Sequence, residues 1–210
     1  MLASTWLLAH QAIEMKQLCQ LAFGKVKQAV GDGREKRTGM VGWEKPPLGW
    51  TALNTYGYVI SSTGSATAGG VIRDSPGRFM RAFSIDLGAH SITHAELVGL
   101  YHGVHIASEM GIQKMRLQTD SRTALAIIQS DRDNHPHRTL ENSIIELLNR
   151  EWETTMEHVY QEGNYVAYFM AEVGHSLNTG LHVLDNPGPS LRYWLLFDSI
   201  GVQTPRMINE

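Results

Sequence analysis

Four side chains stand at positions where this chain could do chemistry. Glu96 lies in THAEL, Asp120 in LQTDS, Tyr56 in LNTYG and Tyr168 in GNYVAYFMA. Carboxylates are hard oxygen donors of the kind Mg²⁺ takes. Phenols, with a reference pKa of ~10, are neutral near pH 7 and add no negative charge. Both carboxylates also have local explanations. Glu96 follows Thr93 at capping-box spacing, in which the acid reaches back to a backbone amide. Asp120 directly precedes a helical pattern, where an ordinary N-cap would stand. Which explanation holds depends on the elements that carry these residues.

Residues 2–30 read as a helix, with Leu7, Leu8, Ile13, Leu18, Leu21, Ala22 and Val26 near helical spacing. A glycine-containing polar break, 31–39, reads as a linker, and Pro46 and Pro47 forbid regular structure in GWEKPPLGW. Three strands follow at 50–60, 68–74 and 78–87, the last two joined by the turn DSPG, with Asp74 as a turn former. A helix from Thr93 to Met110 is stopped by Gly111; then come a strand at 114–120 and a helix at 121–130. After a loop at 131–137, a helix is predicted at 138–151, a strand at 152–161 and a helix at about 164–175. The tail places Pro187, Pro189 and Pro205 around one helix, 190–200. Tight connections make the first three strands an antiparallel meander, and helical crossovers make strands 1, 4 and 5 parallel. The expectation is an α/β fold with a five-stranded mixed sheet flanked by helices. In such sheets functional groups gather at strand ends and at the starts of the helices that follow.

Composition restricts the function classes. With 210 residues, 42% of them hydrophobic, the chain can bury a core, and a domain at 41–180 is expected between an N-terminal helix with linker at 1–40 and a tail at 181–210. The net charge of −3 does not advertise nucleic-acid binding, so any such binding must come from a local arrangement. Cys19 is the single cysteine, which excludes an intrachain disulfide and reads as a small hydrophobe or idle thiol. The opening MLASTWLLAHQAIEMK lacks a basic leader before its apolar part, and no stretch reaches the ~20 apolar residues of a membrane span. A soluble intracellular protein without membrane association is expected.

Five motifs occur in order: LNTYG, the glycines of GSATAGGVIRD, AEL, TDS and GNYVAYFMAEVGHS. Together they resemble the type 1 ribonuclease H family, in its branch related to plant retroelement reverse transcriptases. GWEKPPLGW and GLHVLDNPGP resemble the flanks of that branch, so the likeness runs from about Val41 through the tail. The resemblance implies a ribonuclease H-like fold, and as family reaction the hydrolysis of RNA in RNA–DNA hybrids by two Mg²⁺ (or Mn²⁺) ions. It implies an RNA–DNA hybrid or double-stranded RNA as partner. Four carboxylates hold the ions in the family. Matched one at a time, the first-helix Glu falls on Glu96 and the Asp after the fourth strand on Asp120. The first-strand Asp, in phrases like LNTDG, falls on Tyr56, and the last-helix Asp of GN-x-x-AD on Tyr168.

Two ligands, Glu96 and Asp120, are thus retained, and weakened metal binding and impaired catalysis are expected. Glu172, four residues beyond Tyr168, is a candidate replacement ligand against the plainer reading of a solvated surface acid. The loop in which the family carries a mobile His is YQEGN here and has none; His158 belongs to the preceding strand. Gly69 and Gly70 could admit a nucleic-acid backbone or serve packing. Arg73, Arg78, Arg81 and Arg122 are near the expected face and could meet phosphates, or be solvated. GSATAGG joins strands instead of opening a helix, so it is no dinucleotide fingerprint. Three readings follow: a hybrid ribonuclease, an impaired nucleic-acid-binding module, or a protein-interaction module using the N-terminal helix and the tail.

Overall fold

A computed structural model describes residues 37–129 and 135–208. The helix expected at 2–30 and Cys19 lie outside the described residues. Within them the main sheet runs, in order, β6 (Glu153–His158), β5 (Lys114–Thr119), β2 (Thr51–Val59), β3 (Ser65–Arg73), β4 (Phe79–Ala89) and β7 (Gly180–Leu184). Its central members are β2, β3 and β4, an antiparallel meander. β5 runs parallel to β2, and β6 parallel to β5.

These five strands and their directions are those the sequence predicts, and a sixth corrects the count. β7 (Gly180–Leu184) pairs antiparallel with Ala82–Asp86 of β4. A second, two-stranded sheet joins β1 (Arg37–Val41) to β8 (Thr204–Ile208), with Gly39 opposite Arg206. Residues 37–39, expected as linker, are therefore strand. The three overlooked strands are each five residues long and paired across long sequence separations, so no hairpin signal marks them.

Helices cover both faces. α1 (Ile92–Glu109) lies on β2 and β3, with α2 (Arg122–Gln129) and α3 (Arg138–Leu148) beside it. Leu53, Phe83, Leu97, Leu100, Leu117 and Ile144 pack in this layer. On the opposite face α4 (Tyr165–Gly174) crosses β3, β2 and β4, and α5 (Pro189–Ser199) packs on α4. Val71, Val166, Met170, Leu191, Trp194 and Phe197 form that core. Full burial of each such side chain contributes about 1.5–3 kcal/mol. Because both faces are covered, β3 is buried almost throughout and shows no alternation.

The glycines of β3 belong to this packing. A Cβ on Gly69 would overlap the backbone of Met170 and Ala171 in α4, and one on Gly70 would come 2.5 Å from the Phe83 ring. Neither glycine opens the strand to an external backbone, so the packing reading holds and the nucleic-acid reading is withdrawn. In the β3–β4 turn Asp74 accepts from the Arg78 amide at 2.7 Å and from its guanidinium at 2.6 Å, which confirms Asp74 as a turn former. Among the described residues no helix is long and apolar enough to cross a membrane.

Candidate functional site

The local capping explanations fail for both carboxylates. Ser91 caps α1, its hydroxyl accepting from the His94 amide at 3.2 Å, and the helix starts at Ile92. Glu96 is therefore beyond the first turn, and its side chain points into the protein, 5% exposed. One carboxyl oxygen, Oε2, is buried without a hydrogen-bond partner. Gly57 makes room for it: a Cβ there would lie 2.6 Å from the Glu96 amide nitrogen. Likewise α2 is capped by Ser121, whose hydroxyl accepts from Ala124 at 3.2 Å, leaving Asp120 for other work.

The fold brings all four predicted positions together. Tyr56 feels the charges of Asp120 and Glu96 and adjoins Tyr168, the ring centroids 5.2 Å apart and perpendicular. Burial first, then the two acids, hold the Tyr56 phenol protonated far above its ordinary range. Its hydroxyl accepts from the Gln161 amide at 3.4 Å. Burial also raises Glu96 well above the usual carboxylate range, with Asp120 adding to the effect and a backbone hydrogen bond at Gly57 opposing it. Asp120 is pushed up to about 6 by burial, against the hydrogen bond from Asn164.

Asn164, which brings no carboxylate, ties into this group through Asp120. Its amide donates to Asp120 at 3.1 Å and to the Thr55 carbonyl at 2.9 Å, and accepts from Asn54 at 3.2 Å. Asn54 in turn accepts from Arg73 at 2.8 Å, and Arg73 pairs with Asp198 of α5 at 2.5 Å. A buried polar chain thus runs from the tail helix through the sheet to Asp120. Arg73 is 1% exposed and its guanidinium lies 3.3 Å over the Trp43 ring centroid, so it is neither the phosphate contact nor the solvated arginine that the sequence offered. The signal in the sequence was an Arg inside the apolar run GGVIR and an Asp inside WLLFDS, both charged where the neighbours are core residues.

The other arginines divide. Arg78 is held by Asp74 and Arg81 pairs with Asp185 at 2.6 Å, so both are engaged at the surface. Arg122 is exposed at the start of α2, and its charge acts on His158. His158 ends β6 beside Asp120, with whose backbone it is hydrogen-bonded. Arg206 of β8 pairs with Glu162 at 2.6 Å, and its charge acts on Asp120. Glu172 is exposed, and it does not complete a third acid with the pair: among the described residues no group of three or more His, Cys, Asp or Glu could hold a metal ion.

The donor set does not fit two divalent ions. Glu96 and Asp120 offer hard oxygens, and the orphan Oε2 is the acceptor a cation would use. The remaining two positions are phenols, and that of Tyr56 is held protonated and already engaged with Gln161.

The sheet order and flanking helices define a ribonuclease H fold. The archaeal ribonuclease H1 of Halobacterium salinarum has it too, with a TM-score of 0.56, 19% identity and coverage of 60% of this chain and 98% of that one. So does the N-terminal ribonuclease H domain of a Mycobacterium tuberculosis protein, at TM-score 0.56 and 17% identity, covering 60% of this chain and 94% of its own. A ribonuclease H1 solved in complex with an RNA/DNA hybrid aligns at TM-score 0.54, 18% identity and 59% of this chain, 94% of that one. Residues 54–174 match the reverse transcriptase-like family model, and the chain belongs to that family. An Arabidopsis thaliana protein named as a ribonuclease H protein is 32% identical over 187 residues, 89% of this chain. The chain spans 30% of that relative's length.

Proposed function

We propose that this ribonuclease H-like domain binds nucleic acid and is impaired in the family's metal-dependent hydrolysis of RNA in RNA–DNA hybrids. The observation that carries the reading is the perpendicular Tyr56–Tyr168 pair beside Glu96 and Asp120. In this reading Tyr56 and Tyr168 take the places of two metal carboxylates, and Glu96 and Asp120 are the retained two. The missing pair removes two negative charges and fills their space with rings, so a divalent ion binds weakly and no hydrolytic step runs through it. A related ribonuclease H1 has been solved with an RNA/DNA hybrid, which supports hybrid as the first ligand to try.

The test is a hybrid-cleavage and binding assay in Mg²⁺ and in Mn²⁺, comparing the chain with Tyr56→Asp/Tyr168→Asp. Hybrid binding that weakens with added salt, without cleavage, is the expected result for the unaltered chain. The double variant should gain cleavage and Mg²⁺ affinity by at least about 100-fold, since even outer-shell partners of a metal are worth 10–100-fold. Each single variant should gain little, because the ligands act as a unit. Cleavage by the unaltered chain at the double variant's rate would sink the impairment, and absence of hybrid binding at low salt would sink the binding reading.

A further inference from the structure

The two tyrosines extend into a larger aromatic surface. Tyr56 and Tyr168 meet at 5.2 Å, Tyr168 and Tyr58 at 5.7 Å, and Tyr58 and His175 at 5.2 Å, each pair edge to face. Tyr56, Tyr58 and His175 are partly exposed, while Tyr168, 8% exposed, backs them. The rings are held in place. The His175 nitrogens hydrogen-bond Ser65 and Thr67, each at 3.2 Å, and the Tyr56 hydroxyl is met by Gln161. Preordered rings lose little freedom when a ligand arrives. At the Tyr56 end lie Glu96, whose Oε2 has no partner, and Asp120.

A flat π system matches this surface, because the partly exposed rings can take its face. A nucleobase is such a system, but only an unpaired one, because a duplex hides base faces in the stack. We propose that Tyr56, Tyr58 and His175, backed by Tyr168, form a stacking site for an unpaired base of a single-stranded polynucleotide. The proposal rests on the nucleic-acid-binding reading above and names the strand type that this site prefers. Stacking on aromatic rings tolerates any base and adds roughly tenfold or more in affinity per base.

Fluorescence anisotropy of the full chain at one salt concentration decides the matter. The probes are a labelled oligoadenylate of about twelve nucleotides, within the range of single-strand site sizes, its fully abasic analogue and a blunt RNA–DNA hybrid. The oligoadenylate should bind about tenfold more tightly than the abasic strand. Tyr58→Leu, which keeps the bulk and removes the π face, should abolish that difference, and Tyr58→Phe should keep it. If Tyr58→Leu does not fold by circular dichroism, the comparison of intact and abasic strands on the unaltered chain still decides. Equal affinity for those two strands overturns base stacking and leaves the nucleic-acid-binding reading standing. No binding to any of the three probes overturns both. Adenosine monophosphate binding as tightly as the oligoadenylate overturns the assignment to a polynucleotide.

Discussion

At Asp120 the loss of hydration outweighs the Asn164 hydrogen bond, so its proton is held until about pH 6. Linkage turns this into a stability effect of definite sign. A carboxyl whose folded pKa lies above its unfolded value binds its proton more tightly when folded. The stabilisation is fully present below about pH 4 and is lost as pH rises through about 6. A shift of this size corresponds to about 2–3 kcal/mol. Asp120→Asn should therefore flatten the pH dependence of denaturant unfolding between pH 4 and 7 by about that amount. An unchanged slope would show that Asp120 ionises freely. The same substitution should lower the Glu96 pKa, because the Asp120 charge is one of the causes that raise it. Carboxyl carbon shifts followed through a pH titration would report both groups.

Among the elements, the β3–α4 crossing and the Arg73–Asp198 tie are the points most sensitive to change. Gly69 lets the α4 backbone lie directly on β3, and the overlap there is with backbone atoms that cannot rotate away. Gly69→Ala should destabilise by about 1–3 kcal/mol, as overpacking does, measured by chemical denaturation. A neutral result would mean that α4 is free to lift. Arg73 and Asp198 are 1% and 2% exposed, and removing one partner strands a buried charge. Asp198→Ala should cost about 3–5 kcal/mol, and Arg73→Met with Asp198→Leu should recover most of it. If the double replacement is no better than the single one, the pair is needed for more than charge balance. The chain of amides from Asn54 to Asp120 makes such a role concrete.

For the molecule as a whole, the C-terminal stretch is structurally part of the domain. α5 supplies Leu191, Trp194 and Phe197 to the second core, and β8 pairs with β1 and carries Arg206 to Glu162. Truncation after residue 188 should abolish cooperative thermal unfolding, because it uncovers that core and orphans Arg73 together. Retention of a sharp transition would show that residues 41–180 fold alone.

Local patterning was sufficient for much of this protein. Hydrophobic periodicity, the DSPG turn and Gly111 placed five strands and five helices within a few residues of their observed bounds, because each signal acts over one or two turns of chain. The order of LNTYG, AEL, TDS and GNYVAYFMA named four positions that the fold brings near one another, since the residue types are written in the sequence whatever surrounds them. What only tertiary structure decided is what depends on distant chain. β1 pairs with β8 and β4 with β7 without any local mark, because the pairing is settled by which edges remain open after collapse. Arg73 read as solvated or as a phosphate contact, and it is instead sealed under Trp43 and tied to a helix more than a hundred residues away. The carboxylates were ambiguous between helix caps and a functional site. Burial, and the serines that cap both helices, removed the capping reading, since the environment of a charge is set by what covers it and not by its neighbours in sequence.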